Sequence, residues 1–319
     1  MSGRSGPEGG TALRVTLDLD RLLAQGEITQ AEYDKLLRLS ARLTTTTALN
    51  ILMGFGVVAV CMSTLAILPR AETALGLGLA ICAAGVALVR ARSERWSVLA
   101  NTCVVIGALL FGGGAIAAGQ GSAGALWLAA ASLAGAGAFA GSALLVVLAV
   151  LVLASALGAS AGYIHAAYYL GVEEPALFIV FFTAFAIAIF QLSKRLPPEA
   201  GNLAIAAART GALLVNVGFW VGSVWGDRSS LGILVVPDWV FAALWAVALI
   251  VAGVWAWRRN RRWLLNVVAA FGSIHFYTQW FERLGASTIS LLVAGLIAIG
   301  IALELRSLNA KLGGEPGRP

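Results

Sequence analysis

The chain changes character near residue 47. Ahead of that point leucines recur at helical spacing among charged residues. Beyond it, apolar runs follow one another almost to the end. A helix that crosses a bilayer needs about 20 mostly apolar residues. Ten stretches meet or approach that length: 47–68, 74–89, 97–118, 122–141, 143–163, 175–192, 203–226, 237–257, 263–283 and 287–305. The second is short, and the region from Ser97 to Gly171 is hard to divide because its loops carry no charge. The pattern predicts an all-α protein, a polytopic transmembrane helical bundle of about ten spans. Residues 1–46 would form a cytoplasmic tail with a short helical hairpin, 47–305 the bundle, and 306–319 a second tail.

The hairpin is predicted from local signals. Leu19, Leu22 and Leu23 share one helical face, and Gly26 follows as a stop. Thr29-x-x-Glu32 is a capping box that opens a second helix, flanked by Ile28 and Tyr33 as a hydrophobic staple. Leu36, Leu37 and Leu43 continue its apolar face. Two helices this short cannot bury a core alone. Their apolar faces should meet the bundle, as a collar on the first span, or a second copy or partner protein through residues 16–43.

The stretch LDLDRLLAQGEITQAEYDKLLRLS resembles a helical hairpin with a G-x-I-T/S-x-x-E/Q-Y/F core found in bacterial membrane-associated proteins. Followed at once by many spans, it is similar to a bacterial family of predicted membrane proteins of unknown function. The ending LNVVAAFGSIHFYTQWFERLGASTISLLVAGLIAIGIALELRSLN resembles that family's polar-aromatic helix, short turn, final span and charged tail. The resemblance covers the first and last fifths of the chain. It implies an architecture and carries no chemistry.

Composition then excludes other classes. Of 319 residues, 59% are hydrophobic and 12% charged, against about 25% charged in a soluble chain. Such a chain could not cover a domain with polar surface in water, whereas lipid needs no polar cover. A cytosolic enzyme, a secreted disulfide module and a disordered tail are ruled out. The net charge of +6 does not point to nucleic acid, because the basic residues sit in short clusters between apolar stretches. Cys61, Cys82 and Cys103 all fall inside apolar segments and read as packing residues.

The basic clusters also orient the chain, since lysine and arginine favour cytoplasmic loops. With the amino end inside, inner loops would hold Arg90, Arg92 and Arg95, then Lys194 and Arg195, then Arg258, Arg259, Arg261 and Arg262. The carboxyl tail adds Arg306, Lys311 and Arg318. Outer loops would hold Arg70, Arg228 and Arg283 beside Glu173, Glu174, Asp227 and Asp238. Passing from the arginines at 90–95 to Glu173 takes an odd number of crossings, and three fit the length. A multi-pass protein of the inner (cell) membrane with both termini cytoplasmic follows. Residues 1–46 hold no apolar signal-peptide core, so the first span should act as an uncleaved anchor.

Glycines at four-residue spacing suit close helix packing: Gly137 and Gly141, Gly158 and Gly162, Gly218 and Gly222. The Gly112–Gly113–Gly114 run leaves room for a broken helix of the kind that forms transporter sites. The seventh stretch is two-faced. Arg209, Asn216 and Ser223 lie within about 40° on a helical wheel, with Gly211, Gly218 and Gly222 opposite. Arg209 either snorkels to the headgroups or lines a cavity for an anionic ligand. In the ninth stretch His275, Gln279 and Glu282 share a face, with Asn266, Ser273 and Tyr277 opposite. All six of Arg209, Asn216, Ser223, His275, Gln279 and Glu282 are candidate substrate-binding residues. Arg258, Arg259, Arg261 and Arg262, flanked by Trp257 and Trp263, set topology or bind lipid headgroups. His165 and His275 lack metal-ligand spacing, so no metal is expected.

No phosphate loop, nucleophile elbow, H-E-x-x-H or haem motif occurs, so neither a cofactor nor catalysis is expected. Two readings stay open. One is a transporter-like protein that handles a small molecule or lipid through the polar face of span seven, with ten spans divisible into two inverted halves of five. The other is a non-enzymatic envelope scaffold or sensor that acts through the hairpin. Membrane lipids are partners in both.

Overall fold

The computed structural model describes residues 19–91, 96–164, 167–228, 234–285 and 287–313. Among the described residues it is all-α, with two small antiparallel pairs of strands. In chain order the elements are α1 (Leu19–Ala24), α2 (Gln30–Ile67), α3 (Ala71–Arg90), α4 (Ser97–Ala118), α5 (Ala123–Ala140) and α6 (Ala143–Ala156). Strands β1 (Ala159–Ile164) and β2 (Ala167–Val172) follow, then α7 (Pro175–Ser193) and α8 (Pro198–Trp225). Strands β3 (Asp227–Arg228) and β4 (Leu234–Val236) lead into α9 (Asp238–Arg258), α10 (Arg262–Leu284) and α11 (Thr288–Gly313). Each of the ten apolar stretches contains a helix. Six of them, α3, α4, α5, α7, α8 and α9, are long and apolar enough to cross a membrane. The apolar parts of α2, α6 and α11 are shorter: Leu52–Ile67, Ala143–Ala156 and Thr288–Gly300. Leu52, Phe55, Met62, Ile250 and Ile289 all face outward. An outer surface of this kind suits lipid and marks a membrane protein.

Local signals at the amino end take the form expected of them. Gly26 adopts a left-handed φ of 72°. Its N–H donates to Leu23 O at 3.1 Å and that of Glu27 to Leu22 O at 3.0 Å, which together close α1 as a Schellman motif. Thr29 caps α2: Glu32 N donates to Thr29 Oγ1 at 3.3 Å, and Thr29 N donates to Glu32 Oε2 at 2.9 Å. These Thr29 contacts hold the Glu32 carboxyl below its usual range. Tyr33 Oη donates to Asp20 Oδ1 at 2.8 Å and ties the two helices together. That bond, followed by the Asp20 charge, pushes the Tyr33 phenol up.

Several boundaries differ from the sequence reading. The second hairpin helix and the first apolar stretch are one helix of 38 residues, unbroken across 46 and 47. The stretch 143–163 is not one helix. It ends at Ala156, and Gly158 (φ 83°) turns the chain into β1, which pairs antiparallel with β2. Gly162 is therefore in a strand, and the Gly158–Gly162 pair is no helix-packing motif. Gly141 (φ 64°) is the left-handed C-cap of α5 rather than a packing glycine. The triple glycine lies inside an unbroken α4. The last helix continues to Gly313, through most of the predicted tail.

Two helices organise the packing. α4 contacts α2, α3 and α5, while α8 contacts α6, α7, α9, α10 and β2. The organising helix is thus third among α2–α6 and second among α7–α11, so the contacts do not repeat between halves. The α3–α4 pair is close enough to exclude side chains. A Cβ on Gly107 would lie 2.5 Å from Cys82 N, and one on Gly78 would lie 2.5 Å from Phe111 N. A second core joins α5 to α8, with Leu153, Phe178, Phe182, Leu214 and Val221 buried together. Phe178 and Phe182 rings meet at 4.7 Å there.

Candidate functional site

The polar stripe of α8 divides into a packed part and an open part. Asn216 Nδ2 donates to Ala212 O at 2.9 Å, and Asn216 Oδ1 accepts from Trp245 Nε1 on α9 at 3.0 Å. Trp245 is fully buried. Ser223 is also buried, and its Oγ donates to Trp220 O at 2.8 Å. Both polar groups are thus satisfied inside the protein, as buried groups must be. On the opposite face Gly211 meets Phe185 and Gly218 meets Ile179, both of α7, while Gly222 meets Phe241 of α9. The small-residue face therefore seats two neighbours rather than one.

Arg209 is the open part. α8 begins at Pro198, five residues earlier than predicted, so Arg209 lies eleven residues into the helix. That is about 16 Å at the helical rise. Its side chain is exposed into a cleft of about 660 Å³ between α7, α8 and the turn from α9 to α10. The guanidinium carbon sits 5.1 Å from the centre of the Trp263 ring, a cation–π contact across to α10. Arg261 and Arg262 line the same cleft, and among the described residues no carboxylate does. The walls are apolar: Ala186, Ile187 and Phe190 of α7, with Ile205, Ala208 and Ala212 of α8. Lys194 Nζ lies 4.7 Å from the Phe190 ring, so another cation borders the wall.

The turn that delivers these arginines is set by one residue. Asn260 is left-handed (φ 51°), a conformation that asparagine tolerates better than most. Asn260 N donates to Trp257 O at 3.0 Å and Arg261 N to Ala256 O at 2.8 Å, a second Schellman motif. α10 begins at once. Arg261 is its N-cap, with no side chain capping it, and the first turn of a helix leaves N–H groups that the helix itself does not pair. Arg258 and Arg259 are exposed on the α9 side of the turn and do not line the cleft.

The polar face of α10 separates as well. His275 packs edge-to-face on Trp245, with ring centres 4.9 Å apart. Among the described residues His275 Nδ1 and Gln279 Nε2 are buried without a hydrogen-bond partner. Gln279 Oε1 accepts from Arg283 Nε at 3.3 Å, while Glu282 is exposed. On the opposite face Asn266 and Ser273 are exposed, and Ser273 Oγ donates to Ala269 O at 2.9 Å. His165 lies outside the described residues, and among those described no group of His, Cys, Asp and Glu could hold a metal.

Sequence reasoning missed the cleft itself and the tryptophan ties across the bundle. Trp220 Nε1 donates to Thr278 Oγ1 at 3.0 Å, and Trp280 Nε1 to Ser290 Oγ at 2.7 Å. A signal was available, because a buried indole N–H needs an acceptor and a hydroxyl on a facing helix supplies one. The cleft joins Arg209 to Arg261 and Arg262, two sets of candidates that had been considered separately. Comparison of the chain with protein-family models and with curated proteins finds no match.

Proposed function

We propose that this is an inner-membrane protein of about ten spans, both ends cytoplasmic, that handles an anionic small molecule or lipid at the Arg209 cleft. The carrying observation is the cleft itself: Arg209, Arg261 and Arg262 line it, with no carboxylate among the described residues around it, against apolar walls. A charge in a lipid-facing groove is expensive unless it meets an opposite one, and an anionic ligand supplies it. The inner orientation rests on the basic clusters. The reading predicts that Arg209→Ala, in the full chain reconstituted into vesicles, abolishes binding and flux of anionic carboxylate, sulfate and phosphate probes while the protein still folds. Unchanged binding and flux would reject Arg209 as the site.

The scaffold reading keeps one specific support. Since α2 runs unbroken from the capping box at Thr29 into its apolar part, any partner held by the hairpin would be fixed rigidly to the bundle. Deletion of residues 1–43 that leaves oligomeric state, partner capture and stability unchanged would remove it.

A further inference from the structure

We infer that the ligand of the Arg209 cleft is a membrane lipid with a negatively charged phosphate headgroup, admitted sideways from the bilayer. This rests on the anion-handling reading above and names its ligand class.

The cation count and the shape of the donors favour phosphate over carboxylate. One guanidinium already satisfies both oxygens of a carboxylate in a bidentate pair. Arg209, Arg261 and Arg262 together bring three positive charges against the single charge of a carboxylate, and among the described residues no carboxylate lines the cleft to absorb the surplus. A phosphate presents several acceptor oxygens in a tetrahedral array and can meet guanidinium groups from α8 and from the α10 start at once. A phosphomonoester, with the higher charge, should therefore bind more tightly than a phosphodiester.

The walls then decide between a lipid and a free anion. A soluble phosphate has no use for a groove built from Ala186, Ile187, Ile205 and Ala212. Ile187 is 57% exposed and Phe190 40% exposed, so the α7 wall is continuous with the outer apolar surface of the bundle. An acyl chain can lie along that wall without leaving an apolar medium. Tails gain little by exchanging lipid for protein. The arginines therefore supply selectivity, and the wall sets which molecules can bring a phosphate there.

The test uses the full chain in phosphatidylcholine nanodiscs with a fluorescent phosphatidylglycerol as probe. Phosphatidic acid should displace the probe more strongly than phosphatidylglycerol does, and phosphatidylcholine should not displace it. Inorganic phosphate and glycerol phosphate at millimolar concentration should leave it bound. The Arg261→Ala/Arg262→Ala double variant should weaken binding by about tenfold or more, as expected for lost charged hydrogen bonds. Ala212→Leu, which narrows the groove, should weaken lipid binding without changing thermal unfolding. Ile205→Trp does the same from the end of the α8 wall nearer Pro198 if Ala212→Leu unfolds. Displacement by inorganic phosphate, with both wall variants silent, would overturn the lipid assignment and leave a free-anion site at Arg209. Loss of all dependence on Arg209 would remove the anion reading with it.

Discussion

Asn260 offers the sharpest test of how the cleft is built. Its φ of 51° is tolerable for asparagine and free for glycine, but places the Cβ of other residues against the following carbonyl. Asn260→Val should therefore introduce about 1–2 kcal/mol of strain, with a β-branched side chain at the high end. Relief of that strain opens the turn and breaks its two hydrogen bonds, to Trp257 O and Ala256 O. Arg261 and Arg262 follow immediately, so an opened turn withdraws both from the cleft. If the formed turn is the binding-competent state and is only marginally favoured, strain of this size lowers the ratio of formed to opened turn about 5- to 30-fold, and apparent affinity falls by up to that factor. Asn260→Gly keeps the backbone and should bind as the wild type does. The assay is titration of a fluorescent anionic lipid in nanodiscs, with thermal unfolding measured alongside. Wild-type affinity in Asn260→Val would refute the backbone role of this turn. Equal loss in both variants would place the effect in the asparagine side chain instead.

Other consequences are simpler to state. Gly107→Ala should destabilise the protein by about 1–3 kcal/mol relative to Gly113→Ala, because its Cβ meets the α3 backbone at 2.5 Å whereas that of Gly113 meets nothing within 4 Å. Both variants gain the same helix propensity, so the difference in thermal midpoint isolates the packing. Trp245→Phe should cost about 1–3 kcal/mol by stranding the Asn216 oxygen, and adding Asn216→Leu should recover part of the loss in thermal unfolding. The hairpin contacts should fail at both ends of the pH scale. The Glu32 carboxyl is held low, so its contribution is present above the usual carboxylate range and disappears as pH falls through the lowered value. The Tyr33 phenol is held high, so its bond to Asp20 persists below the usual tyrosine range and is lost as pH rises through the raised value. Amide exchange across residues 19–35 in the full chain reads both.

What could be read from the sequence was whatever is encoded locally. The Gly26 stop and the Thr29–Glu32 box involve residues within a turn of each other, and they form as their chemistry requires. The run of apolar helices was legible because lipid imposes length and composition on every crossing. The break after Ala156 was not, because Ala159–Ile164 pairs with Ala167–Val172 as strands in an apolar composition that would equally suit a helix. The α3–α4 contact was also missed. Its signal is the seven-residue spacing of Gly78 and Gly85, two turns apart on one face, which the four-residue small-residue pattern does not include. The wheel grouped Arg209, Asn216 and Ser223 correctly in angle. It could not register that Trp245 takes up Asn216, that Ser223 is buried with its hydroxyl on the Trp220 carbonyl of its own helix, and that Arg209 is left open.

That division of the stripe bears on how a ligand would be handled. Beyond Arg209, a path along α8 toward Gly226 meets Asn216 held by Trp245 and then Ser223 buried against its own helix. Between those two, Trp220 is tied to Thr278 of α10. These contacts bind α8 to α9 and α10 over the half of the bundle away from the cleft, while the cleft half is joined by a cation–π contact and a turn. A ligand seated at Arg209 therefore touches α7, α8 and the α10 start at the less constrained end. To pass farther it would have to part α8 from α9 and leave the Asn216 oxygen and the Trp245 indole unpaired in an apolar interior. Each lost partner costs about 1–3 kcal/mol, a sum that a second arrangement of α9 against α8 would have to offset with bonds of its own. On the proposed reading, the arginines of the cleft capture a headgroup without disturbing the packed half.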